Sequence, residues 1–131
     1  MSGYTIKNLV EDVEDSARRH GMGDILEARF ASDALGATQS GFSLLRLKPN
    51  QRMPFGHRHD RQEEIYVFVG GSGRLKLDDE VLEIGRWDAV RISREVMRAV
   101  EAGPEGLDLV AFGAPHTGPG DTQPEMGWWS D

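Results

Sequence analysis

The chain has 131 residues, of which 38% are hydrophobic and 28% charged, the make-up of one soluble globular domain rather than a disordered or membrane-embedded segment. A formal net charge of −7 argues against nucleic acid or an anionic membrane as partner, since both call for a basic footprint. The absence of cysteine excludes disulfides, thiolate metal ligands and cysteine nucleophiles, and suits a reducing cytoplasm.

The opening residues Met1–Ile6 carry neither a basic start nor an apolar run, so no secretory signal is expected. Residues 1–41 read as an arm with one short helix. Asn8 is placed to cap a helix over Leu9–Arg19, with Glu11, Asp12, Glu14 and Asp15 early, Arg18 and Arg19 late, and Gly21 as terminator. Its apolar stripe (Leu9, Val10, Val13, Ala17) is thin. From Ile25 the hydrophobic period moves to two, the signature of half-buried strands. Strands are predicted at Leu26–Ala31, Phe42–Leu47, Glu64–Val69, Gly73–Leu77, Glu80–Ile84, Ala89–Ile92, Met97–Glu101 and Leu107–Phe112.

Turn signals separate them: Pro49-Asn50, Gly70-Gly71, Asp78-Asp79, Gly85, and Gly103-Pro104 with Gly106. Asp78-Asp79 between two alternating runs predicts a compact hairpin. So many short strands at close spacing imply a small barrel or jelly roll over residues 42–112. The remainder, 113–131, is a tail with a loop over Pro115–Asp121 that ends near Trp128-Trp129. Two adjacent tryptophans are too apolar to leave in water, so they dock on the barrel or on a second subunit. The chain is read as a single domain, 1–131.

The chemistry concentrates at His57-Arg58-His59 and Gln62-Glu63-Glu64. On an extended strand, residues two apart point the same way, so both imidazoles share a face. A carboxylate entering the next strand adds an oxygen to the two nitrogens, a donor set that divalent first-row metals accept. Glu63 and Glu64 both stand close enough to supply it. Tyr66 and Phe68 share a face with Glu64 and either line a cavity or fill the core. His20 and His116 lie in loop-like segments as solvated residues, and Arg46, Arg91 and Arg94 read as outward charge. Asp78, Asp79 and Glu80 read as a turn, not a calcium loop.

The stretch His57-x-His59, four residues, Glu64, six residues, Gly71 resembles the first sequence motif of the cupin superfamily, with Gln51 where that motif has its leading glycine. The second cupin motif aligns with Trp87 to Ala102 and is eroded. Trp87, Ser93, Glu95, Arg98 and Ala102 occupy its glycine, proline, glycine, histidine and asparagine positions. The resemblance spans about Phe42 to Phe112 and implies an all-β jelly-roll barrel, often a homodimer. It also implies a divalent metal (Fe, Mn, Ni or Zn) on His57, His59 and Glu64, with Arg98 in place of the family's fourth ligand. Arginine offers no lone pair to a metal. Two readings of function therefore stand: a metal-dependent enzyme in which Arg98 anchors an anionic small molecule, or a metal-free, non-catalytic dimeric module that binds a small ligand in the same pocket, with Glu64 paired to Arg98 or Arg58.

Overall fold

The structure, a computed structural model, describes residues 3–59, 62–114 and 122–129. They form a curled eight-stranded antiparallel sheet: β1 (Leu26–Phe30), β2 (Gly41–Leu47), β3 (Phe55–His59), β4 (Glu64–Leu77), β5 (Glu80–Gly85), β6 (Ala89–Ile92), β7 (Arg98–Gly113) and β8 (Thr122–Met126). Neighbours run β1-β2-β7-β3-β8, while β4 pairs with β5, β6 and β7. No helix among the described residues is long and apolar enough to cross a membrane.

The alternation read from the sequence is what builds the core. Leu26 and Ala28 of β1, Tyr66 and Phe68 of β4, and Leu107, Leu109 and Ala111 of β7 all turn inward and are buried. Asp78-Asp79 makes the predicted hairpin, with Leu77 opposite Glu80 and Asp78 in a left-handed conformation (φ 50°). That conformation is tolerated by aspartate, and here the Asp78 carboxylate accepts from the Met97 N–H at 3.0 Å while its own N–H donates to the Met97 carbonyl at 2.9 Å.

Three sequence expectations are corrected. The helix over Leu9–Arg19 does not form. Asn8 does cap a single turn, its side-chain oxygen accepting from the N–H groups of Val10 and Glu11 at 3.0 Å each. The turn is not propagated, because Asp15 turns its carboxylate onto the N–H groups of Ala17 and Ala28, and the Ser16 N–H donates to the Ala28 carbonyl. Such side-chain bonds compete with helix, and the arm is stitched to β1 instead. Only Ala17–His20 remains as a 3₁₀ turn, ended by Gly21 at φ 72°. A second short helix, Ser32–Leu35, was not anticipated.

Gly70-Gly71 and Gly103-Pro104 are not turns. The strands on either side of each are continuous, giving the 14-residue β4 and the 16-residue β7, with irregular register between Phe68 and Gly70 and between Gly71 and Gly73. The glycines let two long strands bend together while still paired. A Cβ on Gly71, itself at φ 73°, would stand 2.0 Å from the Gly106 carbonyl oxygen, and one on Gly73 would stand 2.0 Å from that of Glu101.

The strand list also lacked β3 and β8. β3 (Phe-Gly-His-Arg-His) offers one apolar residue to a pattern search, and β8 carries Pro124, which only an edge strand accommodates. The expected loop Pro115–Asp121, with His116, lies outside the described residues.

Candidate metal centre

Because β3 alternates, His57 and His59 point inward and Arg58 outward. β4 begins at Glu64 on the same inner side as Tyr66 and Phe68. The carboxylate meets both imidazoles: His59 Nε2 lies 3.0 Å and His57 Nε2 3.8 Å from Glu64 Oε1. One ligand atom from each of the three residues lies within 4.8 Å of the others. The two imidazole rings stand edge to face, with centroids 5.2 Å apart. Glu63, the competing carboxylate, is 61% exposed and points to Arg91 at 3.5 Å, so the geometry selects Glu64.

Arg98 is fully buried, with 0% of its side chain exposed. Its Nη1 stands 3.3 Å from Glu64 Oε1 and its Nη2 donates to the Ser93 carbonyl at 2.8 Å. Arg98 has no exposed surface and is not among the described residues that line the cavity, so in place of the anionic anchor expected of it, it stands as a counter-charge to Glu64. Glu101, the acid of β7 three residues further on, is taken by Arg52 and Arg74.

Burial alone would raise the Glu64 pKa. Hydrogen bonds from His57 and His59, and the positive charge those rings carry when protonated, outweigh burial and hold it at about 2. Burial, and next the Glu64 charge beside it, push the Tyr66 phenol well above its ordinary range, so it remains a proton-bearing donor, hydrogen-bonded to Glu64. Phe68 is 0% exposed and packs edge-on to Tyr66 at 6.4 Å: core, not cavity wall.

His57, His59, Glu64 and Tyr66 form the polar end of a cavity of about 610 Å³. Its other walls are chiefly apolar: Leu26, Ala28 and Phe30 of β1, Phe42 and Leu45 of β2, with Met22, Met53 and Phe55. Ser32 and Asp33 of the second helix also line it, and among the described lining residues none is lysine or arginine. Gln62, within the stretch singled out in the sequence but without a role there, is also a site residue. It is 7% exposed, lines the cavity, and its side-chain carbonyl has no hydrogen-bond partner among the described residues. The period of two that joined Glu64 to Tyr66 reaches it one step earlier. The contribution of β1 had no such signal, because it depends on how the sheet curls.

The donor set fits a divalent cation. Bonds of about 2.1 Å to nitrogen and oxygen put neighbouring donors about 3 Å apart, near the observed His59–Glu64 spacing. Glu64 Oε1 faces both imidazoles and Arg98 Nη1 at once, so a cation held between the imidazoles and the guanidinium would draw on the same carboxylate oxygen.

No protein-family model matches the chain, and no curated protein does. Solved structures do. A cupin protein from Bacteroides fragilis superposes with a TM-score of 0.71 at 21% identity, covering 92% of this chain and 91% of that one. An uncharacterized conserved protein with a double-stranded β-helix domain from Klebsiella pneumoniae gives 0.69 at 16% identity, covering 91% and 95%. Oxalate decarboxylase from Bacillus subtilis at pH 4.6 gives 0.71 at 18% identity, covering 91% of this chain and 32% of that one. At such identities the likeness is one of fold: this chain is a cupin-type double-stranded β-helix barrel with a possible His-His-Glu metal site.

Proposed function

We propose that the chain is a small-molecule-binding cupin-fold protein that holds one divalent first-row cation (Fe, Mn, Ni or Zn) through His57, His59 and Glu64. The convergence of two imidazoles and one carboxylate within 4.8 Å, at the polar end of a 610 Å³ cavity, carries this reading. A cation there would supply a Lewis-acidic position open to the cavity. The protein's own groups have separate tasks: Arg98 and Tyr66 orient Glu64, the apolar walls receive the body of the ligand, and the Gln62 carbonyl accepts from a donor on it. A largely apolar pocket with a few convergent polar groups is the usual form of a small-molecule site.

Elemental analysis of untagged protein after growth in metal-supplied medium tests the reading. Near-stoichiometric metal, lost in His57→Ala and His59→Ala, is the expected result; metal-free protein from such medium would refute it. Arg98 favours a second reading. Its guanidinium already gives Glu64 a cation, as in a metal-free binding module, and a ligand that raises the melting temperature of metal-free protein by mass action would support that alternative.

We also propose a homodimer. Of the two places expected for the tryptophans, the barrel or a second subunit, they take their own barrel, but another apolar surface is exposed. Ile65 and Phe112 are opposite each other in register and are 41% and 42% exposed. Packing this outer face of β7 and β4 on a second copy would remove it from water. A cytoplasmic setting accords with the cysteine-free sequence.

A further inference from the structure

The strand that carries both imidazoles depends on the chain's last described segment. On one edge β3 meets the start of β7, with His57 opposite Arg98 and the His59 N–H donating to the Arg94 carbonyl at 3.0 Å. Its other edge belongs wholly to β8, from Phe55 opposite Met126 to His59 opposite Thr122. Without β8, the ligand strand would be an open sheet edge.

Beyond β8 the chain turns at Gly127 (φ 65°) and lays its two tryptophans against the outside of the barrel. Trp128 covers Gly56, between Phe55 and His57: a Cβ at Gly56 would stand 2.6 Å from the indole, so only glycine fits beneath it. Lys76 of β4 places its ammonium 4.2 Å from the centre of that indole and donates to the Trp128 carbonyl at 2.6 Å. The guanidinium groups of Arg52 and Arg74 stand 4.4 and 5.7 Å from the centre of the Trp129 ring. Both arginines also hold Glu101 of β7, through their Nε atoms at 2.7 and 2.8 Å. The Trp129 indole N–H donates to the Met53 carbonyl at 2.8 Å. The two indoles thus bind residues 52–56, where the chain enters β3, to β4 and β7.

We propose that residues 122–129 form a strap that positions His57 and His59, with Trp128 and Trp129 as positioning residues for the candidate metal centre. The inference rests on the metal reading above for its functional consequence. Its structural part stands independently: β4 and β7 pair with each other along their length, so the barrel wall persists without the strap while β3 does not keep its register.

The test uses full-length Trp128→Ala, Trp129→Ala and Gly56→Ala, the last displacing the indole without altering the strap's own sequence. Amide hydrogen exchange is read in peptides covering residues 55–59 and 98–113, and cobalt(II) affinity by its visible absorption. Exchange in 55–59 should rise by about tenfold or more while 98–113 stays protected, and cobalt(II) affinity should fall by about tenfold. Trp128→Phe, which keeps a ring over Gly56, should restore most of both. Unchanged exchange in 55–59 overturns the strap. So does raised exchange with cobalt(II) affinity within about twofold of the parent, a difference of about 0.4 kcal/mol. If the parent protein takes up no cobalt(II), the metal reading falls by itself, and exchange in 55–59 still decides whether the strap orders the strand. A variant that unfolds throughout, losing protection in 98–113 as well, counts against a strap separable from the barrel.

Discussion

Replacing Arg98 with methionine separates two effects that the parent protein combines. Arg98 Nη1 lies 3.3 Å from Glu64 Oε1 in a fully buried position. A cation bound to that carboxylate would stand about 5 Å from the guanidinium charge, and at an effective dielectric of about 20 the two would repel by about 7 kcal/mol. Water in the open cavity and the Glu64 charge between them reduce this figure. Even a fifth of it is about tenfold in affinity. Methionine removes the repulsion and roughly fills the space. In the metal-free protein the same change strips Glu64 of its buried counter-ion, at a cost of about 3–5 kcal/mol. The two consequences have opposite signs. Arg98→Met should melt lower than the parent without metal, yet bind zinc at least about tenfold more tightly by titration calorimetry on untagged protein. A variant that binds zinc no more tightly than the parent would refute the view that Arg98 opposes the cation. It would then act on metal affinity only by orienting Glu64.

Two further outcomes follow from the site and the surface. Glu64 has a folded pKa of about 2 against an ordinary 4.5, so its contribution to stability is complete above about pH 4.5 and is lost as pH falls towards 2. The difference of 2.5 units corresponds to about 3 kcal/mol. Urea unfolding from pH 6 to pH 2 should therefore show the gap between parent and Glu64→Gln closing by about that amount, and a gap independent of pH would count against the pairing with His57 and His59. For the outer apolar face, light scattering at micromolar concentration should give twice the 14.5 kDa chain mass for the parent and a single chain mass for Phe112→Glu; a monomeric parent would dismiss the dimer.

Where the sequence was legible, one period and one side-chain chemistry sufficed. β6 has the predicted bounds, Ala89–Ile92, and the Asp78-Asp79 hairpin closes where two alternating runs meet. His57, His59 and Glu64 came together because strand alternation and a short connection leave them few other directions. The failures have a common cause. Gly70-Gly71 and Gly103-Pro104 carry ordinary turn chemistry, and only the partner strand pressing within 2.0 Å of a missing Cβ makes Gly71 and Gly73 bulges instead. The arm beginning at Asn8 has a helical start, but Asp15 finds partners on β1 that no local window contains. Arg98 was recognised as an anomaly, yet its burial against Glu64 and Ser93 depends on a chain path between Ile92 and Arg98 that the eroded motif did not specify.

The unbroken path of β4 through Gly71 and Gly73 has a consequence for how this molecule can be rebuilt. One continuous segment supplies Glu64 at its first residue and the anchors Arg74 and Lys76 near its last. New chain ends introduced by circular permutation at the Asp78-Asp79 hairpin would leave that segment whole. A cut at Gly70-Gly71, which looks like the natural joint of the sequence, would divorce the carboxylate from its mechanical support.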